Sequence, residues 1–197
     1  MEGFEQFVAV AMEGEGFVVS PAVKFPVQRR TRRKTYDEHQ THGYEVDLVG
    51  ARSDLLVLAT VKSFFGSRGV AAEHVTGRSP RRRSTNLYLL LNDQDVREGV
   101  IQAACETYGY RPDQVQLRLY VGRFAGPKRG RHEAEIRAWC SEQNAGRGPI
   151  EVVGVEDVVS LVRQAATGKQ YRDNPVIVAM RVLQAAGVLT LVSTEGQ

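Results

Sequence analysis

The chain reads as an α/β protein with a mixed central sheet flanked by helices, and three observations predict this. Strand-like alternation at 22–28 and 115–121 is separated by stretches whose apolar residues recur at helical spacing. The run Leu55-Leu56-Val57-Leu58 is apolar on both faces, as in a central strand covered by helices on both sides. The elements follow one another as helix, strands, helix, strand, helix, strand, helix. A chain of 197 residues can bury a core of that kind without a disulfide or metal staple. We expect one domain over 1–167 and a helical extension over 168–197.

Phe4, Phe7, Val8 and Ala11 make one apolar face of a helix over 2–14, with Glu5 at the edge of that face and Gly14 and Gly16 ending it. Val23, Phe25 and Val27 alternate with Ala22, Lys24 and Gln28, but Pro21 and Pro26 donate no ladder bond, so this strand is an edge or a bulged one. Residues 28–42 read as a loop or a protruding hairpin arm. His39 and His42 fall in it with no third ligand close by, and read as exposed loop histidines. The stretch 43–63, GYEVDLVGARSDLLVLATVKS, then forms a hairpin. With Arg52 and Ser53 at its tip, Ala51 faces Asp54 and Glu45 faces Thr60. Glu45, Asp47, Thr60 and Lys62 then share one sheet face, and Val46, Leu48 and Val61 the other.

Residues 64–69 leave the sheet as a turn. Residues 70–86 carry Gly77, Pro80 and three adjacent arginines, and predict a loop that moves when no partner is bound. Asn92 or Asp93 caps a helix whose core face is Val96, Val100, Ile101 and Ala104 and which ends at Gly109. The strand at 115–121 and a basic loop at 123–131 follow. A helix bearing Glu133, Ile136, Trp139 and Cys140, a strand at 150–153 and a helix over 156–166 complete the domain. The last helix, 174–187, is apolar over most of its circumference, so it is buried under its own domain or against a second copy.

The formal net charge of +3 is ordinary, but its distribution is not. Lys24, Arg29, Arg30, Arg32, Arg33 and Lys34 occur with no acid among them. Arg68, Arg78, Arg81, Arg82 and Arg83 face only Glu73. Arg123, Lys128, Arg129 and Arg131 again have no acid between them. Three basic blocks, mostly arginine, are the composition of a surface that meets phosphates. No apolar run reaches the roughly 18 residues of a membrane helix, and the acidic start MEGFEQF lacks the n-region of a signal peptide. The expectation is a soluble, cytoplasmic protein with no membrane partner, in which Cys105 and Cys140 are reduced packing residues.

Two acids, a hydroxyl and a lysine at one end of a hairpin are what a metal- and phosphate-handling site needs. The plainer alternative is an Asp47–Lys62 ion pair at a sheet edge, with Glu45 solvated. The order of elements and the hairpin together resemble the PD-(D/E)XK nuclease superfamily, the restriction-endonuclease-like fold. Over roughly residues 1–165, Asp47 takes the place of that family's first acid, Lys62 that of its lysine and Glu5 that of its helix acid. The departure is Thr60, in Ala59-Thr60-Val61-Lys62, where the family's triplet carries an acid.

The resemblance implies a restriction-endonuclease-like domain over 1–167. It also implies a divalent cation, magnesium or manganese, that polarises the phosphate and activates water, with the lysine stabilising the charge that builds up. A threonine hydroxyl is a poor ligand for a hard cation, so two outcomes stand open. In one, Glu45 supplies the missing carboxylate and holds the metal with Asp47, and Glu5, Glu45, Asp47 and Lys62 cut DNA. In the other, cleavage is lost and the fold binds duplex or branched DNA. The residues that would grip its backbone are Arg29, Arg30, Arg32, Arg33, Lys34, Arg68, Arg81, Arg82, Arg83, Lys128, Arg129 and Arg131. A third reading is a non-catalytic interaction protein that assembles as a homodimer through its final helix.

Overall fold

The computed structural model describes residues 2–30, 39–126, 130–168 and 173–189. Five strands form one mixed sheet in the order β1 (Val18–Arg30), β2 (His39–Arg52), β3 (Leu55–Lys62), β4 (Val115–Val121) and β5 (Glu151–Gly154). The first three pair antiparallel, whereas β3–β4 and β4–β5 are parallel. Every residue of β4 and all but the last of β3 are buried, as strands covered on both faces must be.

Helix α1 (Gly3–Gly14) packs on one face of the sheet with α7 (Val155–Thr167) and α8 (Pro175–Ala185). The opposite face is covered by α5 (Gln94–Tyr108) and α6 (Arg131–Ser141), with the short helices α2 (Ala72–Val75), α3 (Arg82–Thr85) and α4 (Leu89–Asn92) beside them. Asp93 caps α5, its Oδ1 accepting from the Val96 amide at 3.1 Å, a contact worth about 1 kcal/mol. Gly109 ends the same helix at φ +77°.

One expectation changes and two are narrowed. The stretch 70–86 is not a structureless loop: α2 and α3 lie in it, and Val70 forms a parallel bridge with Phe124. Runs of four residues are too short to show a helical period, so sequence patterning misses them. Within 28–42, residues 28–30 and 39–42 continue the two strands as paired backbone rather than as a loop, since β1 and β2 stay paired out to Arg30 and His39. Residues 31–38, with Arg32, Arg33 and Lys34, and 127–129, with Lys128 and Arg129, lie outside the described residues. The last helix is covered by its own domain on one side only. Val176, Ile177 and Met180 are buried, while Val178, Val182 and Leu183 stay exposed, Val182 by 60%.

No helix among the described residues is long and apolar enough to cross a membrane. Both cysteines are free and buried, and burial pushes the Cys140 thiol up to about 12. A buried, protonated thiol is inert. Ellman's reagent is therefore expected to leave both cysteines of the native protein unmodified at neutral pH and to titrate both after unfolding in guanidinium.

Candidate functional site

The β2–β3 turn is Ser53–Asp54, one residue further on than expected, because Arg52 pairs with Leu55. Arg52 straps the turn, its Nε and Nη2 donating to the Asp54 carboxylate at 2.7 and 3.1 Å. The Tyr110 hydroxyl also donates to the Arg52 carbonyl at 2.7 Å. The register is consequently shifted by two residues, so that Leu48 lies opposite Ala59, and Asp47, rather than Glu45, stands level with Thr60.

The β2–β3 ladder ends at Leu48 and Ala59. Beyond it the Asp47 carboxylate takes over as acceptor: Oδ2 receives the Val61 amide at 2.7 Å and the Lys62 ammonium at 3.0 Å. Both side chains are partly buried. On the other flank Ala22 stands opposite Asp47, between the pairs Pro21–Leu48 and Val23–Val46, and adopts φ +52°. A left-handed alanine costs about 1–2 kcal/mol. It switches the side-chain alternation of both strands: Val19 and Leu48 face the α1 side, whereas Val23 and Val46 face the α5 side.

That switch overturns the expected grouping of four polar residues on one face. Leu56 and Leu58 pack toward α5, so Thr60 and Lys62 share that face by alternation, and Glu45, next to Val46, points the other way. The Glu45 carboxylate instead meets Lys24 of β1 at 3.6 Å. Glu5 caps its own helix, accepting from the Glu2 amide at 2.8 Å. The start of α1 does lie near the exit of β3, since Phe4 packs edge-on against Phe65 at 5.3 Å. Thr60 is only 5% exposed.

These donors do not fit a hard divalent cation, which takes about six oxygens and favours carboxylates. Asp47 is already neutralised by Lys62, and among the described residues no three His, Cys, Asp or Glu side chains gather as a metal site. The assignment of Asp47 and Glu45 as joint ligands is corrected accordingly. What remains at the strand end is one charge-compensated carboxylate.

The basic residues group more closely. Strands β3 and β4 are parallel, so Arg68 and Arg123 leave the sheet at the same, carboxyl-terminal end, beside the Asp47–Lys62 pair. Arg68, Arg81, Arg82, Arg83, Arg123 and Arg131 are exposed, and among the described residues none meets a carboxylate. Arg52, Arg78, Arg111, Arg118 and Arg137, in contrast, each pair with an acid. Arg29 and Arg30 belong to the β1 arm. A cleft of about 520 Å³ opens between the β3 and β4 exits, lined by Arg68, Arg81, Arg123, Glu73, His74 and His132 among others. Neither histidine was singled out by sequence, because nothing local marks residues brought together from positions 68–132.

No family model matches the chain, and no curated protein matches it. Among solved structures, the chain is similar to AF1548, a protein of unknown function, at 15% identity and a TM-score of 0.39, over 94% of this chain and 77% of that one.

Proposed function

We propose that the chain binds DNA through its phosphate backbone and does not cut it, on a fold of the PD-(D/E)XK nuclease type in which Thr60 replaces the acid of the triplet. The observation that carries the reading is the set of six exposed arginines that meet no carboxylate among the described residues, several of them at the carboxyl-terminal end of β3 and β4. Ligands of open α/β sheets bind at that end. An unpaired guanidinium offers five donors suited to phosphate oxygens, and phosphate contacts hold a duplex without reading its sequence.

The non-cleaving form is favoured over the metal-dependent nuclease by the engagement of the three candidate acids: Asp47 with Lys62, Glu45 with Lys24 and Glu5 with the Glu2 amide. Pairing of two copies through α8 is supported by the exposed row Val178, Val182 and Leu183, an apolar stripe that water would leave bare.

Fluorescence anisotropy with labelled duplexes of unrelated sequence tests the reading. Wild type is expected to bind them about equally, and a variant with Arg81, Arg82 and Arg83 all changed to Ala at least about tenfold more weakly, since each charged contact is worth about 1 kcal/mol or more. Incubation of single-stranded, duplex and branched DNA with magnesium or manganese is expected to leave all three intact. Cutting that disappears in Lys62→Ala would instead establish the nuclease.

A further inference from the structure

We infer that the cleft between the β3 and β4 exits is a site for a terminal phosphate group, that is, a phosphate monoester or a polyphosphate. The inference shares Arg68, Arg81 and Arg123 with the backbone-binding reading but does not depend on it. Three guanidiniums, Arg68, Arg81 and Arg123, line the cleft against one carboxylate, Glu73. That carboxylate lies 3.9 Å from His132 Nδ1. Neither Arg68 nor Arg81 has a side-chain partner among the described residues, and Arg123 reaches only the Phe65 carbonyl at 3.4 Å.

The walls are fixed before any ligand arrives. The Val70 amide donates to the Arg123 carbonyl at 2.8 Å, and the Ala125 amide donates to the Val70 carbonyl at 2.9 Å. Gly69, at φ +90°, lets the two exits meet so closely that a Cβ would lie 2.6 Å from the Phe124 carbonyl atoms. The two exit loops that carry Arg68 and Arg123 are therefore clasped to each other, so less ordering is lost on binding.

His132 also lines the cleft. Its Nδ1 accepts the Ala72 amide at 3.2 Å, which leaves the proton of the neutral ring on Nε2. It stands in the first turn of the 11-residue helix α6, whose N-terminus carries partial positive charge.

The charge and shape select the ligand class. A backbone diester carries a single charge and runs along an extended strand. A terminal phosphate carries about −1.5 to −2 at neutral pH and three acceptor oxygens, which suits a cleft lined by three cations. Such a group comes from the end of a nucleic-acid strand or from a free nucleotide.

Isothermal titration of the full chain with inorganic pyrophosphate tests the site without any nucleic acid. Wild type is expected to bind, and Arg68→Gln/Arg123→Gln about tenfold or more weakly, with Arg81→Gln weakened in the same direction. Circular dichroism of each variant confirms its fold. If a strand end is the source, a duplex with phosphorylated ends binds more tightly than its hydroxyl-ended twin and pyrophosphate removes the difference. If a nucleotide is the source, ADP or ATP outbinds pyrophosphate and end phosphorylation changes nothing. Absence of pyrophosphate binding, or equal binding by wild type and both variants, overturns the inference. Loss of duplex binding with pyrophosphate binding retained sinks the backbone reading alone.

Discussion

Arg118→Ala is expected to lower the thermal midpoint by about 6–12 °C, corresponding to roughly 3 kcal/mol for a chain of this size. Arg118 lies on β4, 8% exposed, where its Nη1 donates to both oxygens of Glu15 at 3.0 and 2.9 Å and to the Tyr120 hydroxyl at 3.1 Å. Its Nε donates to Glu151 Oε2 at 2.6 Å. One side chain therefore ties the end of α1 to β4 and β5. Truncation leaves the Glu15 carboxylate partly buried and without the guanidinium that donates to both of its oxygens. Glu151 is about half exposed and regains water, which keeps the cost near the lower end for a broken buried pair. Differential scanning calorimetry measures the effect. Adding Glu15→Gln to Arg118→Ala is expected to recover part of the loss, because the orphaned charge is then gone. A midpoint within about 2 °C of wild type for the single variant would mean that the cluster is solvated and contributes little.

Gly69→Ala is expected to destabilise by about 3 kcal/mol and to abolish pyrophosphate binding as well. A side chain at φ +90° costs about 1–2 kcal/mol. The added methyl also meets the Phe124 carbonyl carbon and oxygen at 2.6 Å and the Ala125 nitrogen at 2.8 Å. Those are backbone atoms, so the clash is relieved only by parting the two exit loops, and the Val70–Phe124 bridge goes with them. Gly66→Ala is the control, since a Cβ there meets nothing within 4 Å. Urea unfolding and pyrophosphate titration of the two variants read stability and binding separately. Equal stability of Gly69→Ala and Gly66→Ala would contradict the clasp.

Much of the architecture was legible because its signals are local. Leu55–Leu58 marked a doubly covered strand, and the alternation of Val115, Leu117, Leu119 and Val121 marked the other. The Asp47–Lys62 meeting followed from placing both residues near the open end of one hairpin. The register did not, because Arg52-Ser53 and Ser53-Asp54 are both plausible two-residue tips and neither holds the Asn-Gly or Asp-Gly that would decide between them. A slip of one turn position moved the pairing by two, and the left-handed Ala22, which no alanine advertises, then turned Glu45 away from Lys62 and toward Lys24. Contacts such as Arg118 with Glu15 span 103 positions. Nothing in the local pattern of either residue encodes such a pairing.

The claim that unpaired arginines hold the DNA backbone is tested most directly by the salt dependence of duplex binding. Six arginines neutralising six phosphates predict a slope of log affinity against log salt concentration of about −5, or roughly a thousandfold loss between about 50 and 200 mM salt. The slope should become shallower by nearly one for each contacting arginine replaced by alanine. A slope shallower than about −1, or one that Arg81→Ala, Arg82→Ala and Arg83→Ala leave unchanged, would contradict the account.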